Sequence, residues 1–227
     1  MSLLLATILP SLLIILFFVN SDKFKEPTNE IIKVFSYGIL ITIPAFYLNT
    51  SVANYYSLIG VDEKLVGSFL TAAPIEEGLK LAVLYFFVFK MKDFNEPMDG
   101  IVYGVCASLG FATLENFYYV YIISDTFGTS AMTLALVRAF SAVPAHAVFG
   151  IFMGYFFMKY VFVKKGENLI YAFLTPFFLH GFYNYFVYSN FLISLIIIVI
   201  AWVIGVKLFL NLKRKQKRKK REYEKKI

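Results

Sequence analysis

The sequence alternates between long apolar segments and short polar ones, and this alternation limits the folds open to the chain. An α-helix needs about 20 apolar residues to cross the hydrocarbon core of a bilayer. Within lipid every backbone N–H and C=O must be paired internally, so only helices or closed barrels can span it. A composition that is 59% hydrophobic suits a helical membrane protein. We therefore predict an all-α fold, a polytopic transmembrane helical bundle with about seven spans and one interfacial helix. The predicted spans are residues 3–19, 34–49, 67–89, 100–123, 143–162, 169–188 and 191–212.

The apolar stretch 131–163 is too long for a single crossing. As one helix it would extend about 50 Å, against a hydrocarbon core of about 30 Å. Pro144 divides the stretch, because proline lacks a backbone donor and its ring clashes with the carbonyl one turn earlier. We predict a short helix near one membrane interface over 131–141, followed by the fifth span.

The basic residues orient the predicted helices. Lysine and arginine lie in the first, third and fifth loops and in the tail, whereas the second, fourth and sixth loops, leaving out the short helix 131–141, contain only Lys64. The positive-inside rule then places the N-terminus outside and the C-terminus in the cytoplasm. The net charge of +7 comes from the tail, since half of the 22 lysines and arginines lie in 207–227. We predict one membrane domain, 1–212, and a basic cytoplasmic tail, 213–227, that contacts the lipid bilayer and no nucleic acid.

The third span contains ionisable residues where hydrocarbon penalises them. Glu76, Glu77 and Lys80 lie within it, and a charged residue at mid-helix costs about 2.5–3.5 kcal/mol even on insertion scales. Lys80 follows the two glutamates by four and three residues, so it can reach either carboxylate from the same helix. Adjacent carboxylates resist ionising together, and such a pair suits general acid–base chemistry. A structural pair neutralised by Lys80 and Arg138 is the alternative.

Other spans place their most polar residues at a similar depth. Glu76 lies about 14 Å below the outer surface and Glu115 about 12 Å, at 1.5 Å per residue. The two histidines of the chain, His146 and His180, fall in the same outer half. Polar residues kept only for structure would not be expected to coincide in depth, so we predict one functional site there. The predicted catalytic residues are Glu76, Glu77, His146, His180 and Asn184. The predicted supporting residues are Lys80, Glu115, Asn116 and Arg138.

His180 and Asn184 are four residues apart and share one helix face. His180 could act as a general acid or stabilise an oxyanion, with the Asn184 carboxamide as hydrogen-bond donor or orienting group. A satisfied helix–helix contact is the alternative for each histidine. Glu115 and Asn116 could hold the histidines in place, and Arg138 is expected to be a counter-charge rather than a catalytic group.

Two familiar signatures of intramembrane proteases are absent, namely the HExxH helix of zinc metalloproteases and the GxGD pairing. The polar segments of the chain resemble, in order and spacing, those of the PrsW proteases, a family related to the CAAX-protease and bacteriocin-processing group. The matching segments are EEGLK at 76–80, DGIVYG at 99–104, SLGFATLEN at 108–116, VRA at 137–139 leading to His146, and HGFYN at 180–184.

The resemblance implies a protease of the bacterial cell membrane whose substrate is a single-span membrane protein, an anti-sigma factor. It implies a first cut, at site 1, on the extracytoplasmic side, which starts regulated intramembrane proteolysis. A site in the outer half of the bilayer fits a cut just outside the membrane. PrsW-like chains can carry aspartate where this chain has Asn184, and the wider group has either residue. The neutral asparagine here argues against a required negative charge at this position.

The mechanism that we favour activates water with Glu76 or Glu77 as general base. His146, His180 and Asn184 would stabilise the tetrahedral oxyanion, with no metal and no other cofactor. A zinc-dependent membrane protease with glutamate and histidine ligands is the first alternative. A proton-coupled transporter or binding protein, in which the same residues relay protons or hold a cation, is the second.

Overall fold

The computed structural model describes residues 2–224, and it describes the side chains of all of these except 188 and 219–224. This part of the chain contains helices and no strand, so the predicted all-α fold is confirmed. A π-helical segment, Val66–Ala72, joins the third helix to the fourth. The helices are α1 (Leu3–Ser21), α2 (Thr28–Leu58), α3 (Glu63–Leu65), α4 (Ala73–Phe86), α5 (Pro97–Tyr121), α6 (Ala131–Phe140), α7 (Ala142–Val163), α8 (Glu167–Ser189) and α9 (Phe191–Glu224).

Five helical stretches of the described chain are long and apolar enough to cross a membrane, by length and composition. They comprise α1, α2, α5, the stretch formed by α6 and α7, and α9. The predicted third and sixth spans, which correspond to α4 and α8, fall outside this group because α4 has only 14 residues and α8 is interrupted by polar side chains. The chain is a multi-pass membrane protein, and the count of seven crossings stays a prediction.

Two helices are longer than the apolar pattern predicts. α2 continues to Leu58, so most of the predicted loop between the second and third spans is helical. α9 runs for 34 residues to Glu224, so the basic run 213–221 continues the helix instead of following it. Lysine and arginine are good helix formers, and no proline or glycine interrupts either extension. In α9 the basic residues therefore mark the end of the apolar segment, but the helix continues through them.

The predicted division of 131–163 is confirmed, and it falls at Ser141. This residue has φ −123° and ψ −72°, outside the helical region, and separates α6 from α7. Pro144 is the cause, because in a continuous helix its ring would clash with the carbonyl of Phe140, four residues earlier. The break turns α6 aside, so that it packs against α1, α5 and α7.

Glycines let the central helices approach each other closely. A Cβ atom at Gly154 would lie 1.9 Å from the carbonyl oxygen of Gly100, and one at Gly104 would lie 2.5 Å from that of Gly150. These four residues therefore bring the α5 and α7 backbones into direct contact, as small residues do in membrane helix pairs. α5 and α7 form the centre of the bundle, and both contribute side chains to the polar cluster described below.

The π-helical segment precedes the glutamate pair. Within it the Thr71 hydroxyl donates to the carbonyl oxygens of Val66, at 3.0 Å, and Gly67, at 3.1 Å. Pro74 follows in the first turn of α4, where a regular helical turn before a proline would be strained. The wider π turn accommodates this proline. It also sets the direction in which Glu76 and Glu77 leave the helix, and such segments are frequent at functional sites.

Candidate active site

The structure brings the predicted site residues together at one end of the bundle. Eight of them form a continuous network of hydrogen bonds and ion pairs, here called the cavity cluster. They are Glu76, Glu77 and Lys80 from α4, Glu115 and Asn116 from α5, Arg138 from α6, His146 from α7 and His180 from α8. The ninth, Asn184, lies one turn beyond His180 and lines the adjacent cavity, but no described hydrogen bond joins it to the network.

Glu77 is the anchor of the cavity cluster. It is fully buried, and its Oε1 atom accepts hydrogen bonds from Lys80 Nζ and from His180 Nδ1, each at 2.8 Å. Lys80 is also fully buried, so the two opposite charges compensate each other away from water. Because a carboxylate oxygen only accepts, His180 carries its proton on Nδ1. When neutral, His180 therefore presents the lone pair of Nε2.

Glu76 has a different environment although it is the next residue. Its Oε1 atom accepts a hydrogen bond from Asn49 Nδ2 at 3.1 Å. Its Oε2 atom is buried without a hydrogen-bond partner, at 4.0 Å from both Lys80 Nζ and His180 Nε2. Each glutamate thus leaves its Oε2 atom without a hydrogen-bond partner, but the other oxygen of Glu77 is held by Lys80 and His180, whereas that of Glu76 is held by one neutral amide.

His146 is held at both ring nitrogens. Lys80 Nζ lies 3.1 Å from Nδ1, and Glu115 Oε2 lies 3.0 Å from Nε2. Since an ammonium only donates, Nδ1 is the acceptor and Nε2 carries the proton. Arg138 completes this side, with Nη2 at 2.7 Å from Glu115 Oε2 and Nε at 2.5 Å from Asn116 Oδ1. The arginine is thus the counter-charge of Glu115, and Asn116 orients it.

Aromatic rings surround the charged groups. The Phe149 ring stacks on His180 with centroids 5.1 Å apart and an angle of 20°. The Lys80 ammonium lies 4.3 Å from the centre of the Phe111 ring, and the Arg138 guanidinium lies 3.9 Å from that of Tyr119. These contacts support cations away from water. They also restrict the rotation of the histidine and of both basic side chains.

A cavity of about 530 Å³ adjoins the cluster. Its polar lining comprises Asn49, Thr50, Thr71, Glu76, Glu115, Tyr118, Tyr119, Arg138, Ser141, His146, His180, Tyr183 and Asn184. Glu77 and Lys80 are not part of the lining, which distinguishes the two glutamates. The cavity also reaches Gly67, Phe127 and Phe191, near the connections that follow α2, α5 and α8. It therefore lies toward the end of the bundle that the charge pattern predicts to be outside.

Sequence reasoning missed Asn49. It is the last residue of the predicted second span, and it donates to the carboxylate of Glu76. An amide at the outer end of that span, at the depth of the other polar residues, is a signal that the same depth argument could have used. The aromatic residues Phe111 and Phe149 were also missed, because a phenylalanine in a membrane helix carries no local sign of contact with charge.

Some of these side chains could hold a metal ion. Ligand atoms of Glu76, Glu115 and His146 lie within 4.8 Å of one another. In this arrangement, however, both nitrogens of His146 are engaged, and Glu115 is paired with Arg138. Glu76 Oε2 and the Nε2 lone pair of His180 are less committed. A carboxylate on the far nitrogen of a histidine, as Glu77 provides for His180, is common behind metal ligands.

Buried carboxylates, histidines and basic residues around a cavity within a multi-pass helical bundle define a membrane-embedded enzyme. Residues 26–209 match the PrsW-protease family, described as PrsW family intramembrane metalloprotease. The chain belongs to this family, and it is a peptidase. The resemblance noted in the sequence is thereby confirmed, and the transporter alternative is set aside.

Individual relatives agree with this assignment. The chain is 37% identical over 192 residues to Protease PrsW of Geobacillus kaustophilus, covering 81% of this chain and 79% of that protein. It is 34% identical over 212 residues to Protease PrsW of Oceanobacillus iheyensis, covering 91% and 94%. It is 31% identical over 215 residues to Protease PrsW of Clostridioides difficile, covering 91% and 89%. No solved structure matches the chain.

Proposed function

We propose that this peptidase makes the first, site-1 cut in a single-span anti-sigma factor, at a peptide bond on the extracytoplasmic side of the membrane. The observation that carries the proposal is the uncommitted Oε2 atom of Glu76 beside a cavity near one end of the bundle. A reactive group at that depth suits a bond just outside the span of the substrate. The substrate class comes from the resemblance to the family.

In the metal-free form of the reaction, Glu76 is the general base. Its carboxylate takes a proton from water, the resulting hydroxide attacks the peptide carbonyl, and the protonated Glu76 returns the proton to the leaving amine. His180, through the Nε2 side of its ring, and the Asn184 carboxamide stabilise the oxyanion from the cavity wall. Glu77 and Lys80 position His180, and His146 positions Glu115 and Lys80.

A zinc-dependent form is the second candidate, and two observations favour it. Glu76, Glu115 and His146 bring three ligand atoms within 4.8 Å, and the family description names a metalloprotease. Glu76, Glu115 and His146 would be the ligands once Lys80 and Arg138 release His146 and Glu115, and His180 could supply a further nitrogen. Zinc held there would polarise the peptide carbonyl as a Lewis acid. Glu77 would then orient His180, and Arg138 would limit the negative charge around the ion.

Reconstitution in liposomes tests the proposal. Purified protein is combined with a tagged single-span anti-sigma factor, and the cleavage site is mapped by mass spectrometry. We expect one cut in the segment just outside the span, and none with the Glu76→Gln variant. A cut on the cytoplasmic side, or none under any condition, would contradict the proposed site-1 role.

The same liposome cleavage assay measures whether activity depends on a metal ion. The protein is dialysed against a strong chelator and assayed with and without added Zn²⁺. Retained activity supports water activation by Glu76 alone. Activity that is lost and then restored by Zn²⁺ supports the zinc-dependent form.

A further inference from the structure

Another cavity, of about 490 Å³, lies between the start of α2 and the connection from α4 to α5. It is here called the basic cavity, because three of its lining residues are lysines, namely Lys33, Lys90 and Lys92. Glu76 and Phe86 are about 15 Å apart along α4, so the basic cavity is separate from the catalytic one. It lies at the end of the bundle that the charge pattern predicts to be cytoplasmic.

The connection from α4 to α5 holds two of these lysines in an ordered segment. After α4 ends, a single 3₁₀ turn begins at Val88. Val88 and Phe94 are both buried, so the chain is anchored on either side of Lys90 and Lys92. The backbone N–H of Met91 donates to the carbonyl oxygen of Val88 at 2.9 Å, and that of Phe94 donates to the carbonyl oxygen of Met91 at 3.2 Å. The backbone that carries the two lysines is therefore fixed in advance of any ligand.

The lysines of the basic cavity differ in their partners. Lys33 Nζ lies 2.8 Å from both carboxylate oxygens of Glu30, so these two charges compensate each other. Among the described side chains, no carboxylate oxygen lies within 4.0 Å of the ammonium group of Lys90 or Lys92. Asp93 is the other acid of the lining. Three lysines against two acids leave the lining with one net positive charge.

Aromatic rings form another part of the lining of the basic cavity. Phe86 and Phe87 both line it, and they are 56% and 49% exposed on the outside of the bundle. The Tyr37 ring packs against Phe87 with centroids 4.7 Å apart, and its hydroxyl adds a neutral hydrogen-bond donor. Lysines and tyrosines beside exposed apolar rings are typical of the boundary between hydrocarbon and water. The lining therefore suits an amphipathic ligand with an anionic head and apolar chains.

We propose that the basic cavity binds one anionic phospholipid of the adjoining leaflet, with its phosphate at Lys90 and Lys92 and its acyl chains along Phe86 and Phe87. Basic pockets between membrane helices bind anionic lipid headgroups. The phosphodiester of a lipid such as phosphatidylglycerol carries a single negative charge, which the net charge of the lining neutralises. The volume of the cavity lies within the range of about 300–1,000 Å³ that is usual for ligand pockets. The inference does not depend on the proposed function.

The connection from α7 to α8 supplies a control for the general attraction between basic residues and an anionic membrane. Lys164 and Lys165 are exposed, and the charge pattern predicts the same side of the membrane for them. They line neither the catalytic nor the basic cavity. General attraction would depend on both pairs of lysines alike, whereas a built site depends on Lys90 and Lys92 alone.

Lipid binding by the purified full-length protein tests the site. The protein is stripped of lipid in a mild detergent and titrated with phosphatidylglycerol or with neutral phosphatidylcholine, and bound lipid is counted by native mass spectrometry. We expect saturation at one phosphatidylglycerol per chain and much weaker binding of phosphatidylcholine. Glutamine at both Lys90 and Lys92 should weaken phosphatidylglycerol binding by roughly 30-fold, about fivefold for each lysine. Glutamine at both Lys164 and Lys165 should leave binding unchanged.

A variant that keeps the charge separates lipid binding from folding. Arginine at both Lys90 and Lys92 should bind phosphatidylglycerol as the wild type does, because the guanidinium group also binds phosphate. Equal binding of the two lipids, or an equal loss of binding in the two glutamine double variants, would overturn the proposal. Displacement of the lipid by free glycerol phosphate at a similar concentration would also overturn it, since the cavity would then be a site for a soluble anion.

Discussion

The cavity cluster lies toward one end of α5. Four other buried carboxylates, Asp22, Glu26, Glu96 and Asp99, here called the acidic cluster, lie toward the opposite end. The two clusters differ in the partners of their buried charges. In the cavity cluster, three glutamates share the bundle interior with Lys80 and Arg138, and each basic group lies within 2.8 Å of a carboxylate. In the acidic cluster, backbone amides donate to Asp99, a tyrosine donates to Glu26, and a glutamine donates to Asp22. The first cluster carries its own counter-charges, and of its two unpartnered Oε2 atoms, on Glu76 and Glu77, only that of Glu76 belongs to a residue lining the cavity. In the second, Asp22, Glu26 and Asp99 have no lysine or arginine nitrogen within 4.0 Å among the described side chains.

The two clusters therefore differ in what they can do. In the cavity cluster the charges are paired within the protein, and the uncommitted carboxylate oxygen of Glu76 beside the cavity can act on a substrate. The acidic cluster does not line that cavity, so we expect substitutions in it to affect stability and not cleavage. Four substitutions test the comparison, from the largest expected effect to the smallest.

Glu76→Gln should lower cleavage by about 10²–10⁴-fold, because loss of a general base typically has this effect. Tm should change little, since the amide can still accept from Asn49. The measurement is the initial rate on a tagged substrate in liposomes. Glu63→Gln, at an exposed glutamate of α3, is the matched control and should cleave at the wild-type rate. Near wild-type cleavage by Glu76→Gln would show that Glu76 is not the general base.

Lys80→Met should destabilise the protein by about 3–5 kcal/mol, because it leaves Glu77 buried without its counter-charge. Thermal unfolding in detergent measures the loss. Adding Glu77→Gln should recover part of it, since removing both charges of a buried pair is often close to neutral. Lys92→Met, at an exposed lysine, is the control. Equal Tm values for the two lysine variants would show that the cavity cluster does not depend on internal pairing.

Asn49→Ala should lower kcat by roughly tenfold or more, because a hydrogen bond to a charged group contributes about 1.5–3 kcal/mol. We expect KM to stay unchanged, since Asn49 orients Glu76 and is not proposed to bind substrate. Steady-state kinetics on the tagged substrate distinguish the two constants. Asn54→Ala, at an exposed asparagine of α2, serves as the control. A change in KM alone would assign Asn49 to substrate binding.

Glu26→Gln should change stability by less than about 1 kcal/mol. The amide oxygen can still accept from Tyr103, and the substitution removes a charge that has no basic partner among the described side chains. The same substitution at Glu115 should cost several times more, about 3 kcal/mol, because it leaves Arg138 without its partner. Thermal unfolding of both variants makes the comparison, and similar losses would erase the distinction between the clusters.

The sequence predicted the cavity cluster because each of its members interrupts an apolar segment at a recognisable depth. It could not rank Glu76 against Glu77, since successive helical residues point about 100° apart and only the neighbouring helices decide which one faces a cavity. The acidic cluster was not predicted. Carboxylates near helix ends are usually solvated, and Gln216 lies in a basic run that indicates a surface. Their burial depends on how α1, α5 and α9 meet, which no local pattern encodes.

The close glycine contacts bear on how a peptide chain reaches the catalytic residues. α5 and α7 touch backbone to backbone, and Gly38 of α2 meets the backbone of α5 in the same way. These contacts leave no room for a peptide chain between α5 and α7 or between α5 and α2 at these positions. An unwound substrate strand would therefore reach Glu76 through the cavity and not between these central helices.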